Sequence, residues 1–337
     1  MIMNTRVGKQ TVIFQKMPYI TATAAIVGTY EGEGPLKDSF DLILDNDDNG
    51  EKSWEKAETK MMKDTYQLLL QKGHTTAGNI NYVIAGDLLN QNTASSYAFR
   101  DCDIPYLGVY GACSTFGESI GIGAMLMAGG FADQIVCITS SHFCSAERQY
   151  RFPLEFAAQR PPTAQWTVTG CGGVLLQKEG NGPMVESFTS GKIVDQGIKD
   201  ANNMGAAMAP AAADTIATHL ADMNRKPEDY DMIVTGDLGA IGSEICKELL
   251  SQYGYDVYDV HNDCGLIIYD RHKQDAHSGG SGCGCSATVF SAHLYPKLKS
   301  LEMSRILFVP TGALLSPTII QQGESIACIA HAVGIAG

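Results

Sequence analysis

Hydrophobic positions along the chain fall into two alternating patterns, and the same sequence of patterns occurs twice. Met62, Tyr66, Leu69 and Leu70 recur at helical spacing, and the run "INYVIAGDLL" (80–89) that follows reads as a buried strand closed by Gly-Asp-Leu. One hundred and fifty residues later Ala212, Ile216 and Leu220 repeat the helical spacing, and "YDMIVTGDLG" (230–239) repeats the strand and its Gly-Asp-Leu. Each half therefore predicts helix, short polar link, strand and a Gly-Asp-Leu turn. The pattern implies a duplicated α/β protein with a pseudo-twofold relation. The Gly/Pro-bearing "KEGNGP" (178–183), after the strand-like "GGVLLQ", is the expected seam, giving halves of 1–180 and 181–337.

A third element completes each half. "PYLGVYG" approaches a junction at Cys113, and the segment beyond it is built from small and apolar residues, as a buried helix would be. In the second half "GGSGCGCSATVF", with its Gly-rich turn 279–287, is the expected counterpart, and Cys285-Ser286 is aligned there with Cys113-Ser114. Asp87 precedes Cys113 by 26 residues and Asp237 precedes Cys285 by 48, so the second half carries 22 extra residues, within "VYDVHNDCGLIIYDRHKQDAHS". Two helix N-termini facing one another across the pseudo-twofold would enclose a cleft suited to a small molecule.

Composition narrows the chemistry. The chain is 45% hydrophobic and 18% charged, as expected of a globular protein. Its formal charge is −13 and its basic residues form no run, which argues against nucleic-acid binding. Ten cysteines without any C-x-x-C suggest a reducing compartment, with neither a disulfide framework nor a zinc ribbon. No apolar stretch has signal-peptide or membrane-span length, so no signal peptide and no transmembrane segment are expected.

Several side chains are candidates for chemistry. A thiol in the first turn of a helix meets unpaired N–H groups and the positive dipole end, which favour thiolate and suit Cys113 to nucleophilic attack or anion contact. Arg148 and Arg151 in "SAERQYRF" are candidates for a guanidinium clamp on a carboxylate, or for solvated charges. The loop "DNDDNGEKSWEK" begins like a calcium loop, with Asp45, Asp47 and Asn49 at alternate positions. It ends on Lys56 where a bidentate Glu is needed, so it reads as an acidic surface loop. Cys283 and Cys285 with His277 fall short of a four-ligand zinc site. No metal or cofactor is expected.

"VYGACST", "TVTGCGGVLL", "GGSGCGCSA" and "TGALLSPT" together resemble the thiolase superfamily, which includes thiolases and β-ketoacyl-ACP synthase III enzymes. "EGEGPL", "AGDLLNQN", "MAPAAADTI", "DCGLIIY" and "TGALLSPTIIQQGESIACIAHA" further resemble the stage V sporulation protein AD family, from about Gly8 to the C-terminus. The resemblance implies a duplicated five-layer αβαβα fold and a homodimer. It also implies a role in loading dipicolinic acid, alone or with calcium, into the developing spore. The implied setting is the cytoplasm or forespore, at the spore inner membrane beside channel proteins of the same system.

In condensing enzymes the nucleophilic cysteine works with a histidine after the second half's strand and an Asn or His in the Gly-rich turn. Here those places hold Thr235, Gly236 and Asp237, and Ser281. A thiolate needs a proton acceptor and an enolate needs donors, so the pattern implies a vestigial catalyst whose cleft became a binding site. Cys113, Ser114, Ser141, His142, His261, Asp263, Ser281 and Gly282 are the expected ligand contacts. His261, oriented by Asp263, is the imidazole expected to compensate, and Cys264 reads as packing. The rival readings are an active acyl-CoA or acyl-carrier acyltransferase using Cys113, and a structural adaptor with an idle cleft.

Overall fold

The computed structural model describes residues 5–150 and 159–337. Two sets of five strands make up its scaffold. The first comprises β1 (Tyr19–Val27), β2 (Tyr82–Gly86), β3 (Tyr106–Gly108), β4 (Gln134–Ser141) and β5 (Gly170–Gln177). The second comprises β6 (Met184–Thr189), β7 (Met232–Thr235), β8 (His261–Asp263), β9 (Arg305–Val309) and β10 (Ala332–Ala336). Their orders are β3-β2-β4-β5-β1 and β8-β7-β9-β10-β6, the same arrangement with every number raised by five. Strand β2 is parallel to both its neighbours, β3 and β4, and β5 is antiparallel to both β4 and β1; the second set repeats each relation. The sets meet where β6 pairs antiparallel with β1 at Met184 and Tyr19.

Alternation along the strands distributes side chains between layers. Val83, Ala85, Val136 and Ile138 turn outward onto α1 (Trp54–Lys72), where Met61, Met62, Tyr66, Leu69 and Leu70 are buried. Ser53 caps that helix, its hydroxyl accepting the Lys56 N–H. Ile84, Ile135 and Cys137 turn inward onto α2 (Thr115–Ala128). In the second set Ile233, Leu307 and Val309 face α3 (Met204–Met223) and α4 (Gly239–Gln252), while Val234, Ile306 and Phe308 face the centre. Between the sheets lie α2 and α5, which starts at Cys283–Val289 and continues through one π-helical stretch to Lys299. The layers run helix, sheet, helix pair, sheet, helix. This is the expected five-layer αβαβα arrangement.

The central layer depends on close backbone approach. A Cβ on Gly172 of β5 would lie 2.3 Å from the carbonyl of Ala287 in α5, and one on Gly284 would lie 2.4 Å from the carbonyl oxygen of Gly170. The glycines of "TGCGG" and "GCGC" thus fit against one another, letting a helix from the second half of the chain sit on the first sheet. Side chains fix it there. Thr139 donates to the Cys283 carbonyl at 3.1 Å, and the Cys283 thiol donates to the Ser140 carbonyl at 2.9 Å.

Among the described residues no helix is long and apolar enough to cross a membrane.

Candidate functional site

The turn into α2 carries Cys113. Ala112, just before it, has a left-handed backbone (φ 51°), which costs a residue with a Cβ on the order of 1 kcal/mol. The turn is held by local bonds: the Ser114 hydroxyl donates to the Gly111 carbonyl at 2.7 Å and the Thr115 hydroxyl to the Ala112 carbonyl at 2.6 Å. From the other side the strand Thr311–Ala313 presses on it, because a Cβ on Gly312 would lie 2.0 Å from the Gly111 carbonyl oxygen.

The Gly-rich turn meets this one. The Cys113 sulfur lies 4.0 Å from the Ser281 hydroxyl, and both residues are buried. The pairing of the turns differs in register from the sequence expectation. Cys113 stands two residues before the first residue of α2 at Thr115, and Ser281 stands two before the first residue of α5 at Cys283. Ser281, not Cys285, is therefore the positional counterpart of Cys113. Cys285 lies inside the helix, its thiol directed to the Gly236 carbonyl at 3.5 Å.

Asp237 binds the two turns together. One carboxylate oxygen accepts the Ser281 hydroxyl at 3.1 Å and the Gly282 N–H at 3.0 Å; the other accepts the Thr311 hydroxyl at 2.7 Å. The residue is fully buried, and burial raises its pKa. Its charge in turn affects the thiol. Burial first, and the Asp237 carboxylate second, push Cys113 well above the ordinary thiol range. This reverses the expectation of a helix-activated thiolate, since desolvation and an adjacent anion outweigh the helix end.

Cys113 and Ser281 open onto a hollow that is partly continuous with solvent. Leu88, Ala146, Met204 and Leu315 give it apolar walls, and Glu147, Tyr150 and Thr167 add polar atoms. Glu147 accepts the Thr167 hydroxyl at 3.1 Å. Tyr150 and Glu147 come from the short helix Phe143–Tyr150, in which the sequence singled out only Arg148.

The remaining expected contacts sit elsewhere. His261 lies on the edge strand β8, with its ring 3.3 Å from the Thr235 hydroxyl, and it does not line the hollow. Burial, with Lys247 nearby, lowers its pKa to about 4, so the ring is neutral. Asp263 does not orient it; its carboxylate accepts the Thr235 hydroxyl at 2.7 Å and the backbone N–H groups of Leu238 and Gly239, closing the start of α4. The compensating imidazole inferred from the sequence is thus corrected: β8 is an outer strand and both side chains serve the β7–α4 turn. Ser114 and Gly282 flank the site but spend their polar groups on Gly111 and Asp237. Ser141 donates to the Val168 carbonyl at 2.7 Å and accepts the Gly284 N–H at 3.1 Å. His142 binds the Asp47 carbonyl at 2.8 Å and packs on Trp54. Arg148 pairs with Glu55 at a separate surface depression, not in the hollow, and Arg151 lies outside the described residues.

Among the described residues no group of three or more His, Cys, Asp or Glu side chains is arranged to hold a metal ion. Two carboxylates of the acidic loop are spent on the protein, Asp47 accepting from the Thr29 N–H and Asp48 from the Gly50 N–H. His277, Cys283 and Cys285 each bond a different backbone carbonyl.

Comparison with known proteins bears on both fold and family. The structure is similar to the Acat5 thiolase from Ascaris suum in complex with coenzyme A (TM-score 0.59, 10% identity), covering 97% of this chain and 100% of that one. It is similar too to 3-oxoacyl-[acyl-carrier-protein] synthase III from Aquifex aeolicus VF5 (TM-score 0.55, 12% identity), covering 95% of this chain and 100% of that one. These identities establish a thiolase-like fold alone. In sequence the chain is 46% identical over 326 residues to stage V sporulation protein AD of Bacillus subtilis (strain 168), spanning 97% of this chain and 96% of that protein. The family model for stage V sporulation protein AD matches residues 8–336, and the chain accordingly belongs to the stage V sporulation protein AD family.

Proposed function

We propose that the chain binds dipicolinate in the hollow beside Cys113, within the system that loads this pyridine dicarboxylate into the developing spore. One observation carries the reading: where a condensing enzyme needs an imidazole against its thiol, a buried carboxylate, Asp237, faces Cys113, and no histidine is among the described residues lining the hollow. A thiol held protonated without a base is a poor nucleophile, yet the cavity around it persists. Its apolar walls suit the faces of a flat ring. The Cys113 thiol and Ser281 hydroxyl can turn from Asp237 to a ligand carboxylate, while Gly282 and Thr311 keep Asp237 satisfied. Glu147 and Asp237 beside the cavity make the calcium complex of dipicolinate the second ligand to test.

Calorimetric titration with dipicolinate, alone and with equimolar calcium, is expected to give saturable binding near one ligand per chain. Filling the hollow by Ala146→Phe is expected to weaken it at least about tenfold while the fold persists. No saturable heat in either titration contradicts the reading.

The left-handed Ala112 that presents the sulfur at a helix start is the feature favouring the rival reading, acyl transfer through Cys113. Incubation with short-chain acyl-CoA thioesters is expected to leave the intact mass unchanged. A stoichiometric adduct, absent in Cys113→Ala, would establish the acyltransferase instead.

A homodimer belongs to the same proposal, and the edge strand β3 supports it. Among the described residues it pairs only with β2, and it carries exposed Leu107, with exposed Tyr110 three residues further on. Sedimentation velocity is expected to give a dimer that Leu107→Lys converts to monomer; a monomeric unmodified chain contradicts it. The membrane proteins of the system would then be partners of that dimer.

A further inference from the structure

Tyr150 is the one aromatic side chain among the described residues that line the hollow. Its position is over-determined. The hydroxyl donates to the Leu88 carbonyl at 2.6 Å and accepts from the Tyr110 hydroxyl at 2.9 Å. Leu88, itself part of the wall, accepts a second bond at the same carbonyl from Gln149 at 3.2 Å, and Gln149 receives the Asn90 N–H at 3.0 Å. The last turn of the helix Phe143–Tyr150 is therefore fastened to the chain that leaves β2. That chain continues through two left-handed residues, Gln91 (φ 59°) and Asn92 (φ 51°), a conformation retained only where surroundings impose it. Tyr110, half exposed, lines an adjoining depression that shares Leu315 with the hollow, so the tyrosine pair stands where the hollow approaches the surface.

A phenol ring needs neither of its polar contacts inside the cavity when both are spent on its own support. What it offers a ligand is a flat aromatic surface held in place by those bonds, and the other apolar walls, Leu88, Ala146, Met204 and Leu315, have no ring. We propose that Tyr150 is the specificity-determining residue of the hollow: held by Leu88 and Tyr110, it packs on the ring of a planar aromatic dicarboxylate and discriminates against flexible aliphatic diacids. This rests on the reading that the hollow takes dipicolinate.

Glutarate places its two carboxylates across three atoms, as dipicolinate does, but has no ring, and isophthalate keeps the ring without the nitrogen. Affinities for all three are measured by calorimetry. The unmodified chain is expected to prefer both ring compounds to glutarate. Tyr150→Leu is expected to reduce that preference about tenfold, the contribution of one aromatic pair. Tyr150→Phe keeps the ring and loses both hydroxyl bonds, so it should weaken every ligand by a similar factor and leave the preference in place. The ratio is read also in Tyr150→Met, so that a folding defect in one variant does not decide the result. Equal weakening of glutarate and dipicolinate in Tyr150→Leu and Tyr150→Met would overturn the inference and leave dipicolinate binding standing. Absence of dipicolinate binding by the unmodified chain would overturn the underlying reading and this one with it.

Discussion

Replacing Asp237 with leucine is expected to destabilise the protein by about 3–5 kcal/mol, because it leaves three buried donors unpaired at costs of roughly 1–3 kcal/mol each, with some relaxation. Those donors are the Ser281 and Thr311 hydroxyls and the Gly282 N–H, which belong to different segments meeting at the Cys113 turn. Loss of the carboxylate should therefore open the hollow as well as lower the urea midpoint. Asp237→Asn separates the two effects. It retains an acceptor oxygen and removes the charge, so the loss should fall to about 1–2 kcal/mol. With the neighbouring anion gone, the Cys113 pKa should move back toward the ordinary thiol range. Alkylation by iodoacetamide should then speed up, about tenfold for each pKa unit recovered. Unchanged stability in Asp237→Leu, or slower alkylation in Asp237→Asn, would contradict the role assigned to this carboxylate.

Gly172→Val is the second large effect. A Cβ there meets the Ala287 carbonyl carbon and oxygen at 2.3 Å and the Thr288 nitrogen at 2.7 Å, all of them backbone atoms of α5. No side chain can move aside, so β5 and α5 must part, and the separation reaches the Ser281 turn at the start of that helix. The expected cost is about 4 kcal/mol or more, seen as a thermal midpoint lowered by roughly 6 °C or more. A midpoint within about 2 °C of the unmodified chain would mean that the central layer tolerates separation.

The sequence made the duplication legible because a strand ending and its turn residues are local. Asp87 and Asp237 end matching strands, and both are buried acceptors: Asp87 takes the N–H of Leu89 and both N–H and hydroxyl of Ser95. The Cys113 turn was legible for the same reason, since a strand, Gly-Ala-Cys and a run of small residues stand in one stretch. Three things were not. Counting back from a cysteine pairs Cys113 with Cys285, whereas helix starts pair it with Ser281, and a helix start inside a glycine-rich run leaves no periodic mark. Asp237 stood in the expected place of a histidine, but that it reaches Thr311 and the Gly-rich turn follows only from bringing residues 237, 281 and 311 together. Tyr150 is one aromatic residue on a short helix, and its bonds to Leu88 and Tyr110 span 62 and 40 residues. His261 and Asp263 misled in the opposite sense, because polar residues beside a glycine look like a site and here finish an edge strand and a helix start.

The proposed function turns on whether the hollow beside Cys113 holds a ligand without reacting with it. A crystal structure of the protein grown with dipicolinate, with calcium present in a parallel crystal, tests this most directly. A planar ligand is expected in the hollow between Cys113, Tyr150 and Ser281, with the sulfur unmodified and a carboxylate within hydrogen-bond reach of Cys113 or Ser281. Ligand bound only elsewhere on the protein, or a covalent adduct on Cys113, would contradict it.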